Sequence, residues 1–453
     1  MSEPNLTRAL IGRQIQMIAI GGCIGTGLFM GAGKAISLAG PAILLVFAVT
    51  GAMLYFVMRA MGELLLHDPS YKSFIDSTED MLGPLAGFVV GWSYWFGWIV
   101  AGTGEIIAIT GYIGFWWPNL QPWFVAALTV CIVTFINLFA VRAFGELEFW
   151  FAMIKVIAII VLIAVGLWLA IIGFVSPTGV PARLSNLWSF GGLFPHGVDG
   201  LLRALQMTIF SFAGMEIIGT MMAEADDPEK NIPHAIRKIP LRVLIFYMGT
   251  VFTLMVVTPW PDISPNESPF VGMFSLVGLI GAASIINFVV ISSAGSSCNS
   301  GIYATSRMLY GLAKCGKAPL VFGEVSKSQI PAAAVYVALL LMIGSSVLVL
   351  SFETMMNAFQ IIGSVAAILF ICNWAFILVS HLVYQRRFPE AHAHSKFRMP
   401  GSRWIPYVVL VFFAIALYAL SLNEETRMAL LFLPLWFVTL VVFYKLRCSP
   451  HLG

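Results

Sequence analysis

Charged side chains are scarce in this sequence: Asp, Glu, Lys and Arg make up 10% of the 453 residues, against about a quarter in soluble globular chains. With 59% hydrophobic residues and a mean hydropathy of +0.90, that scarcity excludes a water-soluble domain and indicates an integral membrane protein. The net charge of +3 carries no signal of a nucleic-acid partner. Cysteine supplies neither a disulfide framework nor a metal site. Cys23, Cys131, Cys298, Cys315, Cys372 and Cys448 are scattered, mostly inside apolar runs, with no CxxC pair, and read as small core residues. The opening MSEPNLTRALIGRQ holds no short apolar stretch followed by a cleavage site, so no removed signal peptide is expected. HExxH, GxSxG and P-loop patterns are missing, and no nucleophile, base and orienting group emerge together. Neither an enzyme activity nor a cofactor is expected, and nothing points to an obligate protein partner.

Long hydrophobic runs are what the chain has. A membrane-spanning helix needs about 20 apolar residues. Twelve segments meet that length: 16–38, 41–66, 84–113, 121–140, 149–175, 199–223, 240–258, 272–312, 332–350, 355–384, 405–422 and 427–446. A length sufficient for two or three soluble domains is used up by one all-α membrane domain over 1–453. The eighth run is long enough for a strongly tilted or extended helix.

The basic residues fall on one side. With the N-terminus inside, the even-numbered loops and both tails hold most of them, among them Arg8, Arg13, Lys230, Arg237, Lys327, Arg386 and Arg387; the other side holds only Lys34, Arg183, Arg203 and Arg427. The positive-inside rule then places both termini in the cytoplasm of a plasma membrane. Outer loops instead carry aromatics and prolines, as in FWWPNLQPW (115–123) and TPWPDISPNESP (258–269), which suit a membrane interface.

The first segment is the most informative. From Ile18 to Gly33, IAIGGCIGTGLFMGAG holds six glycines. Each costs about 1 kcal/mol relative to alanine in a helix interior, so the cluster invites the helix to open. Opened backbone at membrane depth is tolerated only inside protein or along a cavity. Close helix packing is the competing reading, because Gly27 and Gly31 form a GxxxG. A dinucleotide loop is excluded by the glycine order and the lack of a preceding strand. Five spans later, FSFAGMEIIGT (210–220) sets Gly214 and Gly219 around Glu216. Breaks in spans one and six point to an inverted five-plus-five repeat, 16–175 and 199–384, with a binding site between the breaks and two added helices over 405–446.

Amides at the start of a half-helix, around Ile24, Gly25, Thr26 and Gly27, can hold a carboxylate. Carbonyls freed near Ser211, Ala213 and Gly214 can accept bonds from an ammonium group, so the pocket suits a zwitterion. Phe210 can close over it as a lid or simply pack within the bundle. Intramembrane ionisable groups are costly unless paired or facing water. Glu105 lies about 12 Å deep in the third span, Lys155 at a comparable depth in the fifth, and Glu216 beside the second break. Each also has a structural reading as a buried ion pair or a helix cap, strongest for Glu216 because freed amides need an acceptor. Burial disfavours the charged form of either group, so these residues can exchange a proton as a coupled carrier requires. The basic, turn-rich run 305–331 reads as a solvated loop, and His392 and His394 in EAHAHSK read as surface residues without further metal ligands.

RQIQMIAIGGCIGTGLFMGAGKAISLAGP (13–41), VMRAMGELLLHDPSYKSF (57–74), FGELEFWFAMIKVIAII (144–160), FSFAGMEIIGTMMAEADDPEKNIPHAI (210–236), INFVVISSAGSSCNSGIYATSRMLYGLA (286–313) and EETRMALLFLPLWF (424–437) together resemble the amino acid transporter family of the amino acid–polyamine–organocation superfamily. SPTGV (176–180), VTPWPDISPNESPFV (257–271) and LVYQRRFPEAHAHSKFRMP (382–400) look like its subfamily for D-serine, D-alanine and glycine. The resemblance implies a LeuT-like fold with twelve helices and with spans one and six broken. By analogy Gly25, Thr26 and Gly27 hold the substrate carboxylate, carbonyls near Ser211 and Gly214 its amino group, and Phe210 is the thin gate. Lys155 matches the lysine that, in proton-coupled relatives, stands where sodium sits in sodium-coupled ones, and Ser292 and Ser293 fall in the corresponding part of span eight. No sodium requirement is then implied; Lys155, Glu105 and Glu216 are the candidates for proton coupling, and no metal is expected. Glu105 departs from the aspartate usual at its position. The expected function is proton-coupled uptake of glycine, D-alanine, D-serine and L-alanine. Permeases for threonine, proline, aromatic amino acids or 4-aminobutyrate remain alternatives, as does a non-transporting amino acid receptor.

Overall fold

The computed structural model describes residues 12–447 except 23, 138–140, 177–178, 223–225, 277, 279, 327–329 and 349–353; Arg8, Cys23, Lys327 and Cys448 lie outside the described residues. The chain is helical. The first apolar run gives α1 (Gly12–Gly21), α2 (Thr26–Phe29) and α3 (Gly31–Ala39), followed by α4 (Ile43–Leu65), the short α5 (Phe74–Leu82), α6 (Pro84–Ile113), α7 (Pro122–Asn137) and α8 (Val141–Ile171). Next come α9 (Gly197–Ser211), a 3-10 turn over Met215–Thr220, α10 (Pro228–Arg237), α11 (Ile239–Arg242), a π-helical stretch over Val243–Gly249, α12 (Thr250–Val257) and α13 (Pro269–Leu276). The chain ends in α14 (Ile280–Lys314), α15 (Ala332–Leu348), α16 (Met355–Arg387), α17 (Pro389–His394), α18 (Ile405–Ser421) and α19 (Glu424–Arg447).

Among the described residues eight helical runs are long and apolar enough to cross a membrane, with shorter apolar helices at Pro122–Asn137, Ala332–Gly344 and Ile405–Ser421. This differs from a count by hydropathy for physical reasons. The first run is cut between α1 and α2 and offers no single long helix, while α3 continues into α4 through a 3-10 turn at Gly40–Ala42.

Helix α6 lies along α14 and α16, α1 along α8, and α3 along α9. On α8 the two sides separate by helical period. Trp150, Ile154, Ile157, Val161 and Trp168 are exposed, while Lys155, Ile159, Leu162 and Leu169 are buried, an apolar outer stripe suited to lipid and an inner one turned to protein. Lys155 is fully buried.

Two sequence expectations are corrected. The fifth apolar run begins at 149 by hydropathy, but α8 starts at Val141. Glu148 is no boundary charge: it is fully buried and accepts bonds from Ser296 Oγ and Asn299 Nδ2, both at 2.7 Å. The run 305–331 is not a loop at its start, since α14 continues to Lys314 and buries Thr305, Ser306 and Leu309.

Small residues set the crossing of α8 and α12, where a Cβ added at Gly166 would stand 2.1 Å from Thr253 Cγ2. Overpacking of this kind costs about 1–3 kcal/mol. Gly166→Ala is therefore expected to lower the melting temperature in detergent, and Thr253→Ser, which deletes that methyl and keeps the hydroxyl bond to Gly249 O, to restore it.

Candidate functional site

The site is built where two helices stop. After α1 the chain is extended at Gly25 (φ −116°, ψ −163°) before α2 begins. After α9, Gly214 adopts φ +102° and turns the chain into the 3-10 stretch, a conformation glycine enters without steric penalty. The two interruptions touch. A Cβ on Gly27 would lie 2.6 Å from Ser211 Cα, and one on Gly31 would lie 3.3 Å from Met207 Sδ. Opened backbone and GxxxG-type packing against α9 thus occur in the same stretch.

Side chains from three other helices meet the first break. Lys155 Nζ donates to Gly21 O at 2.8 Å, and Ser293 Oγ donates to Ile24 O at 2.7 Å. Ser292 instead bonds Val289 O within its own helix, so Ser293 alone of the pair reaches the break. Glu105 Oε2 accepts the Thr26 N–H at 3.4 Å. A Cβ on Gly25 would stand 2.8 Å from Glu105 Oε1 and 3.1 Å from Ser297 Oγ. The half-helix start that suits a ligand carboxylate therefore faces a carboxylate of the chain's own.

At the second break the Ser211 carbonyl accepts the Tyr247 hydroxyl at 2.9 Å, so it is already engaged by protein. Ala213 is half-buried. Glu216 Oε2 accepts the Gly214 N–H at 3.2 Å and Trp374 Nε1 at 3.3 Å, which is the capping arrangement for a broken helix. Phe210 is buried and meets Phe359 edge-on at 5.6 Å between ring centroids. Gly104 and Gly363 lie beside its ring, where a Cβ on either would make an ordinary van der Waals contact at 3.5–3.8 Å. One helical turn before Phe210, Gln206 lines a cavity of about 320 Å³ together with Lys34, Arg203 and Gln360.

Glu148, Ser297, Tyr247 and Trp374 were missed by sequence reasoning. A signal for the serines exists in the α14 stretch SSAGSSCNS, where Ser293, Ser296, Ser297 and Ser300 recur at helical spacing. His392 was read as a surface residue, but it is buried against Glu63 at 2.8 Å, whereas His394 is exposed.

The sequence profile described as "Amino acid permease" matches residues 14–451. The chain belongs to the amino acid permease family. It is similar to the D-serine/D-alanine/glycine transporter of Escherichia coli (strain K12), 48% identical over 439 residues covering 97% of this chain and 93% of that one. It is also similar to two proteins of Bacillus subtilis (strain 168): the amino-acid permease AapA, 44% identical over 98% of this chain and 96% of that one, and the probable threonine/serine transporter YbxG, 39% identical over 98% and 96%. Several apolar spans and the family together make this permease a multi-pass membrane protein.

Because a Cβ on Gly27 would meet backbone and not a side-chain tip, Gly27→Ala must push the two interruptions apart. Uptake by the permease is expected to fall by more than about tenfold with protein levels in the membrane unchanged. Gly295→Ala, with nothing within 4 Å of the new Cβ, is expected to transport normally.

Proposed function

We propose that this permease imports glycine, D-alanine, D-serine and L-alanine across a bacterial inner membrane by alternating access, each with a co-transported proton and without sodium. The name of the E. coli relative, a D-serine/D-alanine/glycine transporter at 48% identity, supports the substrate class. The observation that carries the mechanism is the Glu105 carboxylate on the Thr26 N–H. Twelve spans in a LeuT-like five-plus-five repeat, with both termini cytoplasmic, belong to the same reading. The interruptions in the first and sixth apolar runs and the basic loops on one side support it.

As an anion, Glu105 competes with a substrate carboxylate for the amides at the start of α2. Protonation removes both its charge and its repulsion. The substrate carboxylate then takes the amides of Gly25, Thr26 and Gly27, so proton and substrate bind as a pair. The substrate ammonium meets carbonyls at the second break, around Ala213 and the remaining lone pair of Ser211, and Phe210 closes over it. Lys155 and Ser293 keep the Gly21 and Ile24 carbonyls occupied, filling the place of a metal cation, and Glu216 holds the second break open. A glutamate side chain in so small a pocket favours substrates with little beyond the backbone atoms. Serine or threonine is the nearest alternative, in keeping with the name of the 39% identical relative.

The reading is tested by uptake of radiolabelled glycine and D-alanine into proteoliposomes with an inward proton gradient and no sodium. Gradient-dependent accumulation is expected, and unlabelled D-serine and L-alanine should compete while proline does not. Accumulation of threonine alone would retain the fold and replace the substrate, and an absolute need for sodium would contradict the coupling. Lys155→Ala is expected to abolish accumulation, because the Gly21 carbonyl loses its cation. Unchanged concentrative uptake would remove Lys155 from coupling.

A further inference from the structure

The 389–402 segment hides a second cluster of chemistry-bearing side chains, none of which takes part in the proposed transport pocket. Glu63, near the end of α4, is 1% exposed, and a carboxylate removed from water to that extent needs strong partners. His381 Nε2 of α16 lies 2.8 Å from its Oε2, and His392 Nδ1 of α17 lies 2.8 Å from its Oε1. The Met399 N–H donates to Oε2 at 2.8 Å. The three side chains come from three separate elements, and their ligand atoms all lie within 4.8 Å of one another.

We propose that Glu63, His381 and His392 form a binding site for zinc or a similar borderline divalent metal, and that its occupancy slows transport. Two imidazoles with one carboxylate match the three-ligand sets of open zinc sites. They suit borderline metals, whereas Mg²⁺ and Ca²⁺ take oxygen ligands. Each histidine has a partner on its outer nitrogen, the position that orients a metal-bound imidazole: Ser402 Oγ stands 3.0 Å from His392 Nε2, and Gln385 Nε2, a donor in this arrangement, 2.9 Å from His381 Nδ1. An approach route exists as well. Glu63 lines an open cavity of about 880 Å³ that also presents His67, His234 and His394, which can pass a metal inward.

The proton balance closes without an external acid or base. Between ligand atoms 2.8 Å apart, protons on His381 Nε2 and His392 Nδ1 now bridge to Glu63. Metal binding moves each proton to the other nitrogen of its own ring, where the Ser402 hydroxyl accepts one and the Gln385 amide oxygen, after the amide turns and gives up its bond to Ser402 O, accepts the other. The vacated lone pairs and one Glu63 oxygen ligate the metal. A bound ion would tie α4, α16 and the segment after α16 together more rigidly than hydrogen bonds do. Arg59 already joins α4 to the segment after α16, donating to Arg398 O and lying 3.8 Å over the Phe397 ring.

The test titrates Zn²⁺ against the purified, full-length permease in detergent, with a chromogenic zinc indicator as competitor, and measures glycine uptake at the same zinc levels. One saturable site per chain is expected, insensitive to Mg²⁺. His392→Gln can keep a hydrogen bond to Glu63, guarding against unfolding, and is expected to weaken zinc at least about tenfold; gel filtration checks its fold. His394→Asn, an exposed neighbour, should bind as wild type. Zinc should slow uptake several-fold in wild type and not in His392→Gln. No saturable site, or one unaffected by both His392→Gln and Glu63→Gln, overturns the metal assignment and leaves a purely hydrogen-bonded cluster. Saturable binding with unchanged uptake overturns the regulatory role. Because binding is read directly, a failure here is distinct from any failure of the proposed transport activity.

Discussion

A helix interrupted inside a membrane releases backbone N–H and C=O groups that water cannot reach, and each must find a partner within the protein. That constraint organises the centre of this permease. At the first break, Gly21 O is held by Lys155, Ile24 O by Ser293 and the Thr26 N–H by Glu105. At the second, Ser211 O is held by Tyr247 and the Gly214 N–H by Glu216. The side chains nominated for transport are thus the ones that make broken helices tolerable. In the proposed mechanism their roles in folding and in function are not separable, because the substrate enters by taking over bonds that the protein makes in its absence.

Under the proposed function, a proton and a zwitterion are coupled at this one place. In the proposed mechanism the amide at the start of α2 donates to one anion at a time, Glu105 is the resident competitor, and protonating it and admitting the ligand are two descriptions of one exchange. Lys155 acts differently, as a donor held on the Gly21 carbonyl, and its removal is a structural loss at the first break. Small residues permit the arrangement to close, since Gly25 approaches Glu105 and Gly27 approaches Ser211 more closely than a Cβ allows.

The parts legible in the sequence were those with a local signature. Glycines in the first and sixth apolar runs, and charges isolated in such runs, located both interruptions together with Glu105, Lys155 and Glu216. The partners were harder, because each bond joins distant residues: Ser293 to Ile24 across 269 positions, Trp374 to Glu216 across 158 and His392 to Glu63 across 329. Glu148 also went unnoticed, because a charge beside an apolar run looks like a boundary whether it faces water or an Asn–Ser pocket. His392 failed for the opposite reason. A polar tract after a long helix looks solvated, and only the fold brings it onto a buried carboxylate.

The central claim, that Glu105 and the substrate carboxylate contest one anion site, is tested most directly by equilibrium binding of glycine to purified permease across a range of pH. If one proton must bind with the substrate, wild-type affinity should rise as pH falls, by up to about tenfold per unit by linkage. Glu105→Gln should bind glycine with no such dependence. An unchanged pH dependence in Glu105→Gln would contradict the account and move the coupled proton to another group.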